Sequence, residues 1–174
     1  MKPLDLLRSR YPEELVGDLS GADCLVVCSF GTEIGPRSVN AMLANYATLF
    51  AADRPIVADA MIAPLLPDVA KEVAGLPSTL MGGGVKTWDI EQAAKAYMEE
   101  QGLSTALQVA HTVHMGRVCA HALRAGIVDN VVPAKNELPS HFDELSLQPW
   151  TRGRTFWAMR EAAGLLPLAF RGEI

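Results

Sequence analysis

The chain reads as an α/β protein, a three-layer Rossmann-like domain with a mainly parallel sheet of about five strands. Three observations predict this. Short apolar runs of strand length alternate with helical patterns, which is the sequence form of successive βαβ units. Asp23-Cys-Leu-Val-Val-Cys-Ser29 is apolar without alternation, as a strand buried on both faces must be. Glycine-bearing turns then follow strand candidates at the points where a parallel sheet passes the chain to a helix.

The first strand is Asp23 to Ser29, and Gly31, Gly35 and Pro36 form the loop after it. Residues 37–50 carry Val39, Met42, Leu43, Tyr46 and Leu49 or Phe50 at helical spacing, giving an amphipathic helix. Pro55-Ile-Val-Ala58 is a second strand, followed by a break at Pro64 and Pro67 and a helix over 68–74. Ser78 to Met81 is a weak strand candidate running into Gly82-Gly-Gly84. Thr87 caps the next helix, with Asp89 in its first turn, and that helix ends near Gly102. Ala106 to Ala110 is the next strand. A helix from Thr112 stops at Gly126, Asn130 to Pro133 is a last short strand, and a final helix fits 152–164.

With 174 residues, 49% of them apolar and 20% charged, the chain suits one domain over 1–174 with a sizeable core. A formal charge of −5 and a pI near 5.3 argue against broad binding of nucleic acid or an anionic membrane. The first eight residues mix acidic and basic side chains, unlike a secretory signal, and no segment reaches the roughly 18 apolar residues of a membrane span. A cytoplasmic protein is expected. Cys24 and Cys28 lie in one strand, where their Cα atoms stand roughly 13 Å apart, beyond the reach of a disulfide. Cys119 reads as a small core residue.

The chemistry concentrates at His111-Thr-Val-His-Met-Gly-Arg117, a strand-to-helix corner with two imidazoles and a guanidinium. Ligands bind α/β proteins at such corners, because amides of the helix start point out of them. Basic groups in a first helical turn oppose the helix dipole, so an anionic ligand gives the reason for Arg117. His114 is the candidate catalytic residue, as a neutral donor or proton shuttle. His121 and Arg124, further along, read as ordinary surface. His111 and His114 have no nearby Asp, Glu or Cys to complete a metal set, and no metal is expected.

Two loops are expected to join that corner. Ser29-Phe-Gly-Thr-Glu-Ile-Gly-Pro-Arg37 has a phosphate loop's character without the dinucleotide fingerprint, and Met81-Gly-Gly-Gly-Val-Lys-Thr87 lacks the triphosphate-loop pattern. Ser29, Gly31, Gly83, Gly84 and Thr87 are the expected ligand-binding groups from them, with Arg37, His111 and Arg117 facing the anion. No Gly-x-Ser-x-Gly elbow occurs, and all three cysteines lie in apolar runs, which leaves serine and cysteine nucleophiles unsupported. The segment 134–150 has no clear period and is long for a connection, so it reads as a lid.

The order of these landmarks resembles the bacterial YdcF/SanA/ElyC-like family, a domain of unknown function. The resemblance rests on Cys24 to Gly31, Arg37 with its helix, Lys86-Thr87-Trp-Asp89, His114-Met-Gly-Arg117 and Arg160-Glu161-Ala162. The chain departs from that pattern at Asp59-Ala60, Lys86 and Ile90. The resemblance implies a Rossmann-like fold, a nucleotide-like ligand such as S-adenosylmethionine, and a link to envelope metabolism. The expected protein therefore takes a small anionic or nucleotide-like ligand at the carboxyl edge of its sheet. It is either a transferase or hydrolase, or a non-catalytic sensor or adaptor.

Overall fold

The computed structural model describes residues 11–33, 35–67, 73–76, 87–144 and 146–161, with 73–76 described by their backbone alone. The strands are β1 (Cys24–Val27), β2 (Ile56–Asp59), β3 (Val73–Leu76), β4 (Thr105–Val109) and β5 (Asp129–Val131). They are all parallel and lie in the order β3-β2-β1-β4-β5. Every residue of β1 and β2 is buried, which explains the continuous apolar runs Cys24–Val27 and Ile56–Ala58, with Asp59 closing β2.

The helices are α1 (Val39–Ala51), α2 (Thr87–Gln101), α3 (Met115–Ala125) and α4, helical over 154–161. From β1 the chain moves one way along the sheet through α1 to β2. From β3 through α2 to β4, and from β4 through α3 to β5, it moves the other way. Right-handed crossovers therefore put α1 on one face and the neighbouring α2 and α3 on the other. The chain reverses direction between β1 and β4, and an open parallel sheet leaves a crevice at the carboxyl ends of such a pair.

Several expected boundaries move, each for a local reason. The first helix begins at Val39, not Arg37, because the Ser38 hydroxyl accepts from Ala41 N at 3.1 Å and caps it. Helix α3 begins at Met115, not Thr112, with His114 at the cap position, and it ends at Gly126, whose φ of +91° suits glycine. The helix expected over 68–74 is overturned at its end: residues 73–76 form β3, in register with β2. A short apolar run carries no period that separates a buried helix from a buried strand. The strand candidate at 78–81 and the end of the final helix beyond 161 lie outside the described residues.

At the other edge, Leu15 O accepts from Val132 N at 3.0 Å, and a parallel bridge between Val16 and Val132 shields the end of β5. Among the described residues no helix is long and apolar enough to cross a membrane.

Asp23 joins the amino-terminal ends of β1 and β4, accepting from Ser104 N at 2.8 Å, Ser104 Oγ at 2.9 Å and Thr105 N at 2.9 Å. Asp23→Ala leaves those donors to water and should lower unfolding free energy by about 1–2 kcal/mol in urea titration. An unchanged midpoint and slope would contradict this clamp.

Candidate functional site

The crevice between β1 and β4 is bounded by Ser29–Gly31 after β1 and by His111–Arg117 after β4. The Phe30 ring joins them. It stacks on His111 with centroids 3.9 Å apart and lies 6.5 Å from the His114 ring. Over this junction the later chain folds back as a cover: Phe142 stands 5.6 Å from Phe30, and Trp157 of α4 stands 4.7 Å from it. Residues 134–150, expected as a lid, pack here partly through Thr112 N, which donates to Pro139 O at 3.1 Å.

The first loop is organised by side chains that its sequence did not single out. Asn40 is fully buried; its Oδ1 accepts from Phe30 N at 2.8 Å and its Nδ2 donates to Glu33 O at 2.9 Å. Asp59, at the end of β2, accepts from Ser29 N at 2.9 Å and also from Met61 N at 2.9 Å. The Asp143 carboxylate lies at the start of α1, 3.1 and 3.2 Å from Val39 N, where the helix dipole favours an anion. Amides expected to cradle a ligand thus meet internal acceptors. Gly31 has a φ of +86°, and a Cβ there would lie 2.9 Å from Thr151 Oγ1 and 3.0 Å from Ser146 Oγ. Its missing side chain admits the cover itself. Arg37 is exposed ahead of α1.

The two histidines do different things. His111 is fully buried, with Nε2 2.7 Å from His141 O, while Nδ1 accepts from Val113 N at 3.2 Å. That pair of partners assigns the proton to Nε2 and leaves the ring neutral; burial pushes its pKa down to about 4. His111 therefore fastens the cover to the sheet edge. His114 is also buried, with Nε2 3.2 Å from Thr87 Oγ1 at the start of α2. Burial, reinforced by Arg117 and Arg160, holds its pKa well below the ordinary value. Among the described residues its Nδ1 has no partner.

Arg117 lies beneath α4. Its Nη1 is 2.6 Å from Glu161 Oε1, and its guanidinium stands 5.1 Å from the Trp157 ring centre. Burial lowers its pKa to about 10, opposed by Glu161, so it remains a cation at neutral pH. Arg117 Nε and Trp157 Nε1 are buried without an acceptor among the described residues. Ser29, Gly31, Thr87, His111, His114 and Arg117 thus surround one junction, whereas Gly83 and Gly84 lie outside the described residues. The rest of the basic stripe packs on Trp88, with the Arg124 guanidinium 5.1 Å from that ring.

Behind the corner lies a polar cluster that the sequence does not reveal. Glu91 of α2 is fully buried, its Oε1 3.8 Å from Cys28 Sγ and its Oε2 accepting from Gln108 Nε2 at 3.4 Å. Gln108 Nε2 also donates to Asn130 Oδ1 at 2.8 Å. Burial pushes the Glu91 carboxyl up to about 8, against smaller downward pulls from Gln108 and Cys28. In the sequence, Glu91 looks like one more polar residue in a charged helix. Burial also pushes the Cys24 and Cys119 thiols up to about 12 and the Cys28 thiol well above its ordinary value, which suits packing and not nucleophilic attack. Among the described residues no three His, Cys, Asp or Glu side chains converge as a metal requires.

These groups predict the stability profile. His111 and His114 are neutral when folded, so their contribution is complete above pH 6.5; that of His111 is lost as pH falls through about 4, and that of His114 only once pH falls well below its ordinary value. Glu91 acts in the opposite sense: its contribution is complete below about 4.5 and is lost as pH rises to about 8. The stability gained by Glu91→Gln over the wild type should therefore grow by about 1.4 kcal/mol per pH unit between about pH 5.5 and 7 and level off above about pH 8. Chemical denaturation at several pH values measures it, and a pH-independent difference would contradict a neutral buried Glu91.

Compared with known proteins, the chain matches no family model, no curated protein and no solved structure.

Proposed function

We propose that the protein binds a small anionic or nucleotide-like ligand at the corner formed by Ser29–Gly31, Thr87 and His111–Arg117. The observation that carries this reading is the buried donor excess there. Arg117 Nε–H, in the first turn of α3, and Trp157 Nε1–H are buried and have no acceptor among the described residues. Buried donors are ordinarily paired, and an oxygen-rich ligand pairs them. The strand order adds support, because the corner lies where a Rossmann-like, three-layer sheet reverses direction.

In this reading Arg117 neutralises the anion, Thr87 and the loop after β1 border it, and His114, held neutral, orients it or moves a proton. If chemistry follows, transfer or hydrolysis at a phosphoryl or methyl group suits these side chains. The landmarks shared with YdcF-like proteins agree with a nucleotide-like ligand, S-adenosylmethionine among them, and we place the protein in the cytoplasm. A non-catalytic sensor or adaptor uses the same corner. It is favoured by the cover, whose contacts with the corner would change on ligand entry.

A thermal-shift screen of nucleotides, S-adenosylmethionine and sugar phosphates tests the reading. A ligand at a hundred times its dissociation constant adds about 2.7 kcal/mol. Arg117→Ala should remove the shift, and Arg117→Lys, which keeps the charge without the fork, should weaken it. No shift with any anion, or an equal shift in Arg117→Ala, would overturn the site. Product formation with the best binder separates enzyme from sensor.

A further inference from the structure

The corner is already occupied by a carboxylate that the cover brings to it. Glu161 Oε1 lies 2.6 Å from Arg117 Nη1 and 3.2 Å from Arg160 Nη1, so one carboxylate oxygen serves two guanidiniums. Both guanidiniums lie against Trp157, at 5.1 and 5.6 Å from its ring centre, and that of Arg160 also stands 5.2 Å from Trp150. These three charged groups sum to +1. Around them, Arg117 Nε and Trp157 Nε1 can only donate, and His114 Nδ1 is unpaired too.

A planar carboxylate presents two oxygens and one charge. A phosphate monoester or inorganic phosphate presents three or four oxygens and nearly two charges, which suits two guanidiniums and an indole together. A guanidinium partly shielded from water, as that of Arg117 is, is costly without an anion, so a corner awaiting such a ligand needs a counter-ion of its own meanwhile. We propose that Arg117 and Arg160 form a paired-guanidinium site for a phosphate-type dianion, with Trp157 as its neutral donor. Glu161 is the resident counter-ion that the ligand displaces. This rests on the binding function proposed above and adds three residues to it: Arg160, Trp157 and Glu161.

Displacement makes ligand and Glu161 competitors, so removing the competitor tightens binding. Titration calorimetry of inorganic phosphate should give at least about tenfold tighter binding in Glu161→Gln than in the wild type. Arg160→Ala should weaken phosphate by about tenfold in either background. Circular dichroism checks that each variant is folded. If Glu161→Gln does not fold, Glu161→Asp, which keeps the charge but shortens its reach, must shift the affinity in the same direction. Unchanged phosphate affinity in the folded Glu161 and Arg160 variants, with binding still lost in Arg117→Ala, overturns this inference and leaves the proposed function standing. Absence of binding by phosphate and by the nucleotide panel in every folded variant overturns both.

Discussion

Arg117 stands in the first turn of α3, where the helix dipole opposes a cation and burial has removed much of its hydration. A guanidinium in that position must meet an anion, and the chain supplies one from Glu161, far along the sequence but 2.6 Å away. The path of the later chain follows from that meeting. Helix α4 lies across the corner, Trp157 fills the space between Arg117 and the Phe30 ring, and Phe142 packs against the stacked Phe30 and His111 rings. The ion pair is partly shielded from water, so breaking it by removing one partner leaves the other charge uncompensated.

The same device recurs at the start of α1. Asp143 places a carboxylate at Val39 N, as a bound phosphate does at many helix starts. Asn40 and Asp59 take the amides of Phe30 and Ser29, and Gly31 lets Ser146 and Thr151 approach its backbone. The cover therefore meets the sheet edge with carboxylates and hydroxyls at points where the edge offers positive charge and N–H groups. His111 fastens it with one imidazole hydrogen bond to His141 O and a ring stacked on Phe30. On the proposed function, ligand entry and cover movement would be coupled, because both would draw on the same donors.

The architecture was legible because burial on both faces writes itself as unbroken apolar runs, as at Cys24–Val27 and Ile56–Ala58. Gly126 likewise announces the end of α3. The third strand was not legible: Val73–Leu76 is too short to carry a period, and only its pairing with β2 separates strand from helix. At the site, His111, His114 and Arg117 were visible as an unusual cluster at a strand end. Their partners were not, since Glu161 and Trp157 come from a helix some forty residues later and look like ordinary surface and core residues. Glu91 was hidden for the opposite reason, because a carboxylate in a charged helix is almost always solvated, and only its packing against Cys28 and Gln108 of the sheet buries it. Asn40 and Asp59 are polar residues whose roles appear only once two loops meet.

On the proposed function, an oxyanion entering the corner takes up the buried indole N–H of Trp157. Nitrogen-resolved NMR of the tryptophan indole signals during a phosphate titration tests it most directly. The Trp157 signal should move progressively and saturate, as a donor without an acceptor among the described residues gains one, while the Trp88 signal stays in place. A Trp157 signal that does not move at saturating phosphate, or that moves no further than that of Trp88, would contradict it.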